Sequence, residues 1–231
     1  MKTLAFIPAR GSSKRIPGKN RKLLAGQPLI AWTIETARRS GLFSDIVVSS
    51  DDQEILALAK TLGVASDERA GSLAGDRVRF IEVLVEYLCR DSVSGKFDSA
   101  AVLLPTCPFR SEGDLAQAKS LYESDTTRSV VSVTEYEFPP DFACDFDPAS
   151  GSLELRHPEV YARSTQSQSV KKSFHPNGAI YWASVERILR TESFYDGPLT
   201  GLPIPPERAM DLDHPYQWPL AEVLAVQLLQ S

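Results

Sequence analysis

Residues 3–20 read TLAFIPARGSSKRIPGKN. The run from Thr3 to Pro8 is short, apolar and closed by a proline, the pattern of a buried strand. A loop of cations and turn formers follows at once: Arg10, Lys14, Arg15 and Lys19, with Arg21 just beyond. The surrounding chain is acidic, 231 residues with a net charge of −5. Like charges crowded into one loop repel each other, so the arrangement costs stability unless an anion shares it. Gly11, Ser12 and Ser13 are suited to present backbone N–H groups as an anion nest. Arg10 adds a planar fork, and Lys14 and Lys19 add mobile point charges. The stretch is neither GxxxxGK[ST] nor GxGxxG, lacking the second glycine and the Lys-Ser/Thr ending. A strand delivering such a loop predicts the start of an α/β domain and a polyphosphate ligand. The alternative is a solvated basic surface loop.

Outward from this point the chain alternates strand and helix. Residues 28–41, PLIAWTIETARRSG, predict a helix with Pro28 in its first turn and Gly41 at its end. DIVVSS (45–50) predicts a strand, and 52–63 a helix with an acidic start and a glycine stop. A polar stretch, 66–77, leads to a helix over 78–90. A strand over 99–105, a helix over 112–124 and a strand over 129–136 continue the rhythm. Such alternation implies a mainly parallel sheet covered on both faces. Ligands bind at the carboxyl ends of such strands, where the loops holding Arg10, Asp51 and Pro105 are expected to gather. Residues 137–175, rich in Pro, Asp, Ser and Gln, break the pattern and predict a two-stranded flap. NGAIYWAS (177–184) predicts a strand entered by a turn at Asn177-Gly178. The end of the chain predicts a short strand, a turn, and a helix from about residue 215.

Composition bounds the function. At 42% hydrophobic and 24% charged residues the chain reads as one ordinary globular domain. No apolar run approaches the roughly 20 residues of a membrane span, and the N-terminus does not read as a secretory signal. Cys89, Cys107 and Cys144 are too scattered for a zinc site or a disulfide framework, which points to a reducing cytoplasm. Net acidity argues against a nucleic-acid binder. Late in the chain, MDLDHP carries Asp211 and Asp213. Two apart on a strand, they would share a face. Paired carboxylates are unfavourable without a cation between them, and Mg²⁺ favours a few carboxylates with phosphate oxygens. The alternative is a helix cap at Asp213 and a solvated Asp211.

IPARGSSKRIPGKN, IVVSSDDQEI, LLPTCPFR, FHPNGAIYW and MDLDHPYQWPLAE together resemble, in order and over essentially the full length, the CMP-N-acylneuraminate (CMP-sialic acid) synthetase family. The resemblance implies a Rossmann-like αβα sandwich, a homodimer joined by the flap at 137–175, and Mg²⁺-dependent transfer of CMP from CTP to a nine-carbon 2-keto sugar acid. It also implies site residues. Arg10 and Lys14 would hold the leaving phosphates within a loop running from Ala9 through Gly11, Ser12 and Ser13. Lys19 would stabilise charge at the α-phosphate. Asn20 and Arg69 would read cytosine and ribose, with a backbone contact from Val78. Asp211 and Asp213 would bind the metal. Toward the sugar, Leu104 stands where sialic-acid members carry Gln; with Pro105 it looks more like the pseudaminic-acid enzymes. Asn177 matches sialic- and legionaminic-type members, with His175 in place of their Arg. Arg163, Gln168 and Lys171 in the flap would meet the substrate carboxylate. The segment Arg77 to Phe80 departs from the family's small hydroxyl residues. Rival readings are a 3-deoxy-octulosonate cytidylyltransferase, a hexose-1-phosphate enzyme, or a nucleotide-binding domain without turnover.

Overall fold

The computed structural model describes residues 1–75, 77–163 and 171–229. Its strands are β1 Thr3–Pro8, β2 Leu23–Leu24, β3 Gln27–Pro28, β4 Asp45–Ser50, β5 Ala65–Glu68, β6 Ser99–Val102, β7 Ser129–Glu135, β8 Cys144–Phe146, β9 Leu153–Leu155, β10 Phe174–Ser184 and β11 Leu199–Pro203. The α-helices are α1 Leu29–Ser40, α2 Gln53–Thr61, α3 Phe80–Cys89, α4 Glu112–Ser124, α5 Pro158–Arg163, α6 Val185–Thr191 and α7 Gln217–Leu228. A seven-stranded sheet runs in the order β11-β7-β10-β6-β1-β4-β5. Its pairings are parallel except for β10, which runs against both β6 and β7.

Alternation along the central strands builds the layers. Ala5 and Ile7 of β1 pack with Ile30 and Ile34 of α1, Ile55 of α2 and Leu115 and Tyr122 of α4. Leu4 and Phe6 point the other way, into Ile81 and Leu84 of α3 and Ile188 of α6. Burying each such side chain contributes about 1.5–3 kcal/mol, so the period-2 pattern of β1 decides both faces at once. The helices stop and start on local chemistry. Gly41 ends α1 at φ 62°, a conformation natural to glycine. The Asp52 carboxylate caps α2 through the N–H groups of Glu54 and Ile55, and Ser111 with Asp114 closes a capping box on α4.

A third apolar cluster has the most bearing on function. Ile16 of the opening loop packs with Leu212, the residue between the two late aspartates, among Leu24, Leu29, Trp32, Phe109 and Trp218. Trp218 Nε1 donates to Leu23 O at 3.1 Å, and Trp32 Nε1 to Leu24 O at 2.9 Å. Helix α7 and the β2–β3 hairpin thus clamp the two ends of the chain together.

The structure corrects several expectations. The stretch 66–77 contributes to β5, a parallel edge strand, because Asp67 and Glu68 pair with Ser49 and Ser50, with Asp67 buried and Glu68 exposed. Helix α3 begins at Phe80, not at residue 78. Asn177-Gly178 is no entry turn: β10 already starts at Phe174, and the pair forms an irregularity within it, between Pro176 and Tyr181, with Gly178 at φ 82°. The excursion from the sheet therefore closes before Phe174, and Phe174 and His175 belong to β10. Helix α6 and strand β11 were not anticipated. The short strand expected around Asp211 does not form: residues 209–213 are a loop in which Asp213 N–H donates to Asp211 O at 3.0 Å, so strand spacing does not account for the direction of the two carboxylates. Within the flap, β8 and β9 pair antiparallel as the expected two strands. Among the described residues no helix is long and apolar enough to cross a membrane.

Candidate active site

A cleft of about 270 Å³ opens at the carboxyl ends of β1, β5 and β6. Its walls include Arg10, Ser12, Ser13, Lys19 and Asn20 from the opening loop, Arg69 beyond β5, Leu104 and Pro105 beyond β6, and Asp211 and Asp213. Residues at opposite ends of the sequence meet there. Lys19 Nζ donates to Asp213 Oδ1 at 2.7 Å, and Arg15 Nη2 lies 3.1 Å from Asp213 Oδ2. Burial opposes charge on Asp213, but the Lys19 hydrogen bond and the Lys19 and Arg15 charges outweigh it and hold this carboxyl below the usual carboxylate range.

Asp211 is the contrasting member. Burial pushes its carboxyl up, and the charge of Asp213 adds to the effect against a hydrogen bond from Thr106 and the Lys19 and Arg15 cations. Its Oδ1 is buried without a hydrogen-bond partner. Two more partnerless buried atoms line the same cleft, Asn20 Oδ1 and Arg69 Nε. The Asn20 amide donates to Arg10 O at 2.8 Å, and Arg69 Nη2 donates to Ser49 O at 2.6 Å. Arg69 is buried rather than an exposed loop residue, and its pKa is lowered by that burial. Buried polar atoms are normally satisfied; three of the exceptions belong to residues lining this cavity, an acceptor, a donor and a carboxylate oxygen.

A second cleft, about 630 Å³, is lined by Thr134, Glu135, His175, Asn177, Gly178 and Tyr181. Leu104 and Asp211 belong to both cavities, which makes them neighbours. Arg110, fully buried, ties the shared wall in place: its Nε donates to Ala179 O at 2.9 Å, its Nη1 meets Thr33 Oγ1 at 3.0 Å, and its Nη2 donates to Leu104 O. Desolvation brings its pKa down to about 10, still charged at neutral pH. Phe80 and Val83 of the first cleft and Thr134 and Tyr181 of the second were not foreseen. Phe80, in the segment that departs from the family's small hydroxyl residues, pairs with Tyr181 at 5.1 Å between ring centres.

Some expected contacts fall elsewhere. The Gly11 N–H is not free for an anion, since it donates to Asp51 Oδ1 at 3.0 Å. Glycine is required there because a Cβ would lie 2.6 Å from Asp52 Cβ. The Ala9 N–H is spent on Ser49 O at 2.9 Å and the Val78 N–H on Gly75 O at 3.1 Å, while Val78 itself lines the first cleft. Lys14 is exposed and lies outside the residues lining the cleft. His175 lines the second cleft, not the first, and its ring lies tilted against Tyr136 with 4.6 Å between centres. Lys171 is exposed. Gln168 lies outside the described residues, as does the side chain of Arg163.

A cytidylyltransferase family profile matches residues 4–195. The chain belongs to the cytidylyltransferase family. Among curated relatives of this cytidylyltransferase, the CMP-N,N′-diacetyllegionaminic acid synthase of Legionella pneumophila is 35% identical over 97% of this chain and 96% of that protein. The pseudaminic acid cytidylyltransferase of Campylobacter jejuni is 31% identical over 97% and 96%. The N-acylneuraminate cytidylyltransferase of Escherichia coli is 31% identical over 95% of this chain but only 51% of its own length; the chain spans about half of that relative. A solved CMP:2-keto-3-deoxy-manno-octonic acid synthetase, complexed with CTP, superposes with a TM-score of 0.70 at 16% identity, covering 100% of both chains. That likeness supports the fold alone, and it agrees with the expected Rossmann-like αβα sandwich. The cytidylyltransferase is thus a nucleotidyltransferase whose cationic loop and late aspartates share one cavity.

Proposed function

We propose that this enzyme transfers CMP from CTP to the anomeric hydroxyl of an N-acylated nine-carbon 2-keto-3-deoxy sugar acid, releasing pyrophosphate. One observation carries the reading: Lys19 and Arg15 of the cationic loop meet Asp213 on the cleft that also holds Asp211, Asn20 and Arg69. A loop that binds triphosphate and carboxylates that bind a divalent cation have to be neighbours for nucleotidyl transfer, because the reaction depends on positioning and charge neutralisation.

In this reading Arg10 and the hydroxyl-bearing Ser12 and Ser13 of the cleft wall hold the leaving phosphates, and Lys14, exposed outside that wall, adds its charge from the same loop. Lys19, half-buried, neutralises charge that builds at the α-phosphate. Asn20 Oδ1 and Arg69 Nε, both partnerless and buried, receive cytosine and ribose. A divalent cation, Mg²⁺ by the oxygen-only donor set, fits the partnerless Asp211 Oδ1, with Asp213 beside it. Among the described residues no three His, Cys, Asp or Glu side chains gather to hold a metal, so the remaining ligands would have to be phosphate oxygens and water. When bound, such an ion polarises phosphate oxygens and acidifies a coordinated hydroxyl. The sugar acid occupies the second cleft, its anomeric hydroxyl brought to the nucleotide past Leu104 and Asp211. The legionaminic, sialic and pseudaminic acids named for the relatives are the candidate acceptors.

The test is pyrophosphate release with CTP, UTP, GTP or ATP against a panel of legionaminic, sialic and pseudaminic acids. The expected result is turnover with CTP and at least one nine-carbon acid; preference for UTP or GTP, or CTP binding with no product, contradicts the reading.

We also propose that 137–175 joins two copies of the chain. Phe138, Phe146 and Leu153 are more than 60% exposed in this excursion, an apolar surface that association would cover. Deleting 145–170 is expected to convert a dimer to monomers on size-exclusion chromatography; an unaltered dimer would remove the flap from the interface. The three free cysteines support a reducing, cytoplasmic setting.

A further inference from the structure

We infer that Thr134 and Asn177 together read an acylamido substituent on the acceptor acid, with Ser132 setting which way the Asn177 amide faces. The inference rests on the proposed sugar-acid reading and deepens it. Ser132 and Thr134 are two apart on β7, so their side chains share a face, roughly 7 Å from each other. The Ser132 hydroxyl accepts the Ile180 N–H at 2.8 Å and lies 2.6 Å from Asn177 Oδ1, to which it donates. The Ala179 N–H gives the same amide oxygen a second bond at 3.1 Å. With both lone pairs of Oδ1 engaged, Nδ2 is the end of the amide left over. Cys107 Sγ donates to Asn177 O at 3.2 Å and Arg110 holds Ala179 O, so the irregular stretch of β10 is fixed from behind as well.

Asn177 Nδ2 and Thr134 Oγ1 are each buried and without a partner. The residues are 5% and 6% exposed, and both line the second cleft. Such groups are rare in folded proteins and costly unless a ligand satisfies them. Asn177 Nδ2 only donates, whereas the Thr134 hydroxyl also accepts. An acylamido group carries the complement: one carbonyl acceptor and one N–H donor. Leu104, on the same wall, supplies apolar surface for the acyl carbon chain. A hydroxyl in place of the acylamido group is too short to meet both protein groups, and a site left with an unpaired polar group rejects the analogue.

The experiment measures kcat and KM with CTP for N,N′-diacetyllegionaminate, N-acetylneuraminate and the 5-hydroxy counterpart of N-acetylneuraminate. Wild type is expected to favour the acylated acids by about tenfold or more in kcat/KM. Thr134→Val keeps shape and removes a hydroxyl with no internal partner, so its Tm is expected not to fall. It should lower kcat/KM for the acylated acids about tenfold through KM, leave KM for CTP unchanged and leave the hydroxy acid within about threefold, erasing the preference. Ser132→Ala, which frees the amide to turn, should raise the same acid KM with no change in KM for CTP. Undiminished preference in Thr134→Val, or equal losses on acylated and hydroxy acids, overturns the subsite while the proposed activity stands. Failure of wild type to convert any nine-carbon acid overturns both.

Discussion

Asparagine in place of Asp211 is expected to cut turnover by roughly a thousandfold while leaving the fold at least as stable as before. The two effects have one cause. Asp211 is buried, its Oδ1 has no partner, and desolvation raises its carboxyl pKa. A raised carboxyl pKa means that the folded chain binds the proton more tightly than the unfolded chain does. The associated stability is present below the unfolded pKa and is lost as pH rises through the folded one. At neutral pH the ionised side chain is therefore a cost to the apoprotein, borne at the place where a cation has to bind. Asparagine removes that cost together with the ligand. Thermal unfolding at neutral pH should give an unchanged or higher Tm, and addition of Mg²⁺ with CTP should raise the Tm of wild type but not of Asp211→Asn. Activity close to wild type would remove Asp211 from metal binding; a collapse in Tm would make it a structural residue.

Lys19→Ala is expected to lower kcat by at least about a hundredfold, the loss typical of one donor aimed at developing transition-state charge. Its present partner sharpens the test. Lys19 Nζ sits 2.7 Å from Asp213 Oδ1, so the cation is already held on the cleft before phosphate arrives. Asp213 has a lowered pKa, and the stability linked to it is present above the unfolded carboxylate pKa and lost as pH falls through the folded one. Removing Lys19 forfeits part of that at neutral pH. Because the Asp213 side chain is 37% exposed, solvent screening limits the loss to about 1 kcal/mol or less. The expected signature is a large fall in kcat beside a small fall in Tm. A change confined to KM would mean that Lys19 binds ground state and transition state alike.

What the sequence made legible was local. The apolar run at Thr3–Pro8, the glycine after α1 and the Asp52 cap each depend on neighbours a few residues away and form where expected, and the alternation up to Glu135 holds apart from β5, the later start of α3 and the end of β6 at Val102 rather than residue 105. The edge strand β5 was not legible, because polar Asp67 and Glu68 pair at a rim where no apolar pattern is needed. The reversed strand β10 was read in the right place but with the wrong entrance, since an irregularity at Asn177-Gly178 carries the same residues as a turn. At the site, the cations of the opening loop announced themselves by composition. Asp211 and Asp213 were found by spacing, although the strand assumed for that spacing is a loop. What brings them to the cleft is the apolar cluster that gathers Ile16 and Leu212 with Trp32, Phe109 and Trp218, an assembly across most of the chain that no local pattern encodes. Thr134 and Ser132 were invisible for a related reason: in sequence they are ordinary strand residues, and only the pairing with β10 leaves one of them without a partner beside an oriented amide.

The most direct test of the account is a crystal structure with CTP and Mg²⁺ bound. The prediction is a triphosphate lying along Arg10, Ser12, Ser13 and Lys19, cytosine against Asn20 and Arg69, and the cation touching both Asp211 and a phosphate oxygen. CTP bound at another place, or a triphosphate that meets the opening loop while the cation sits away from Asp211, would contradict it.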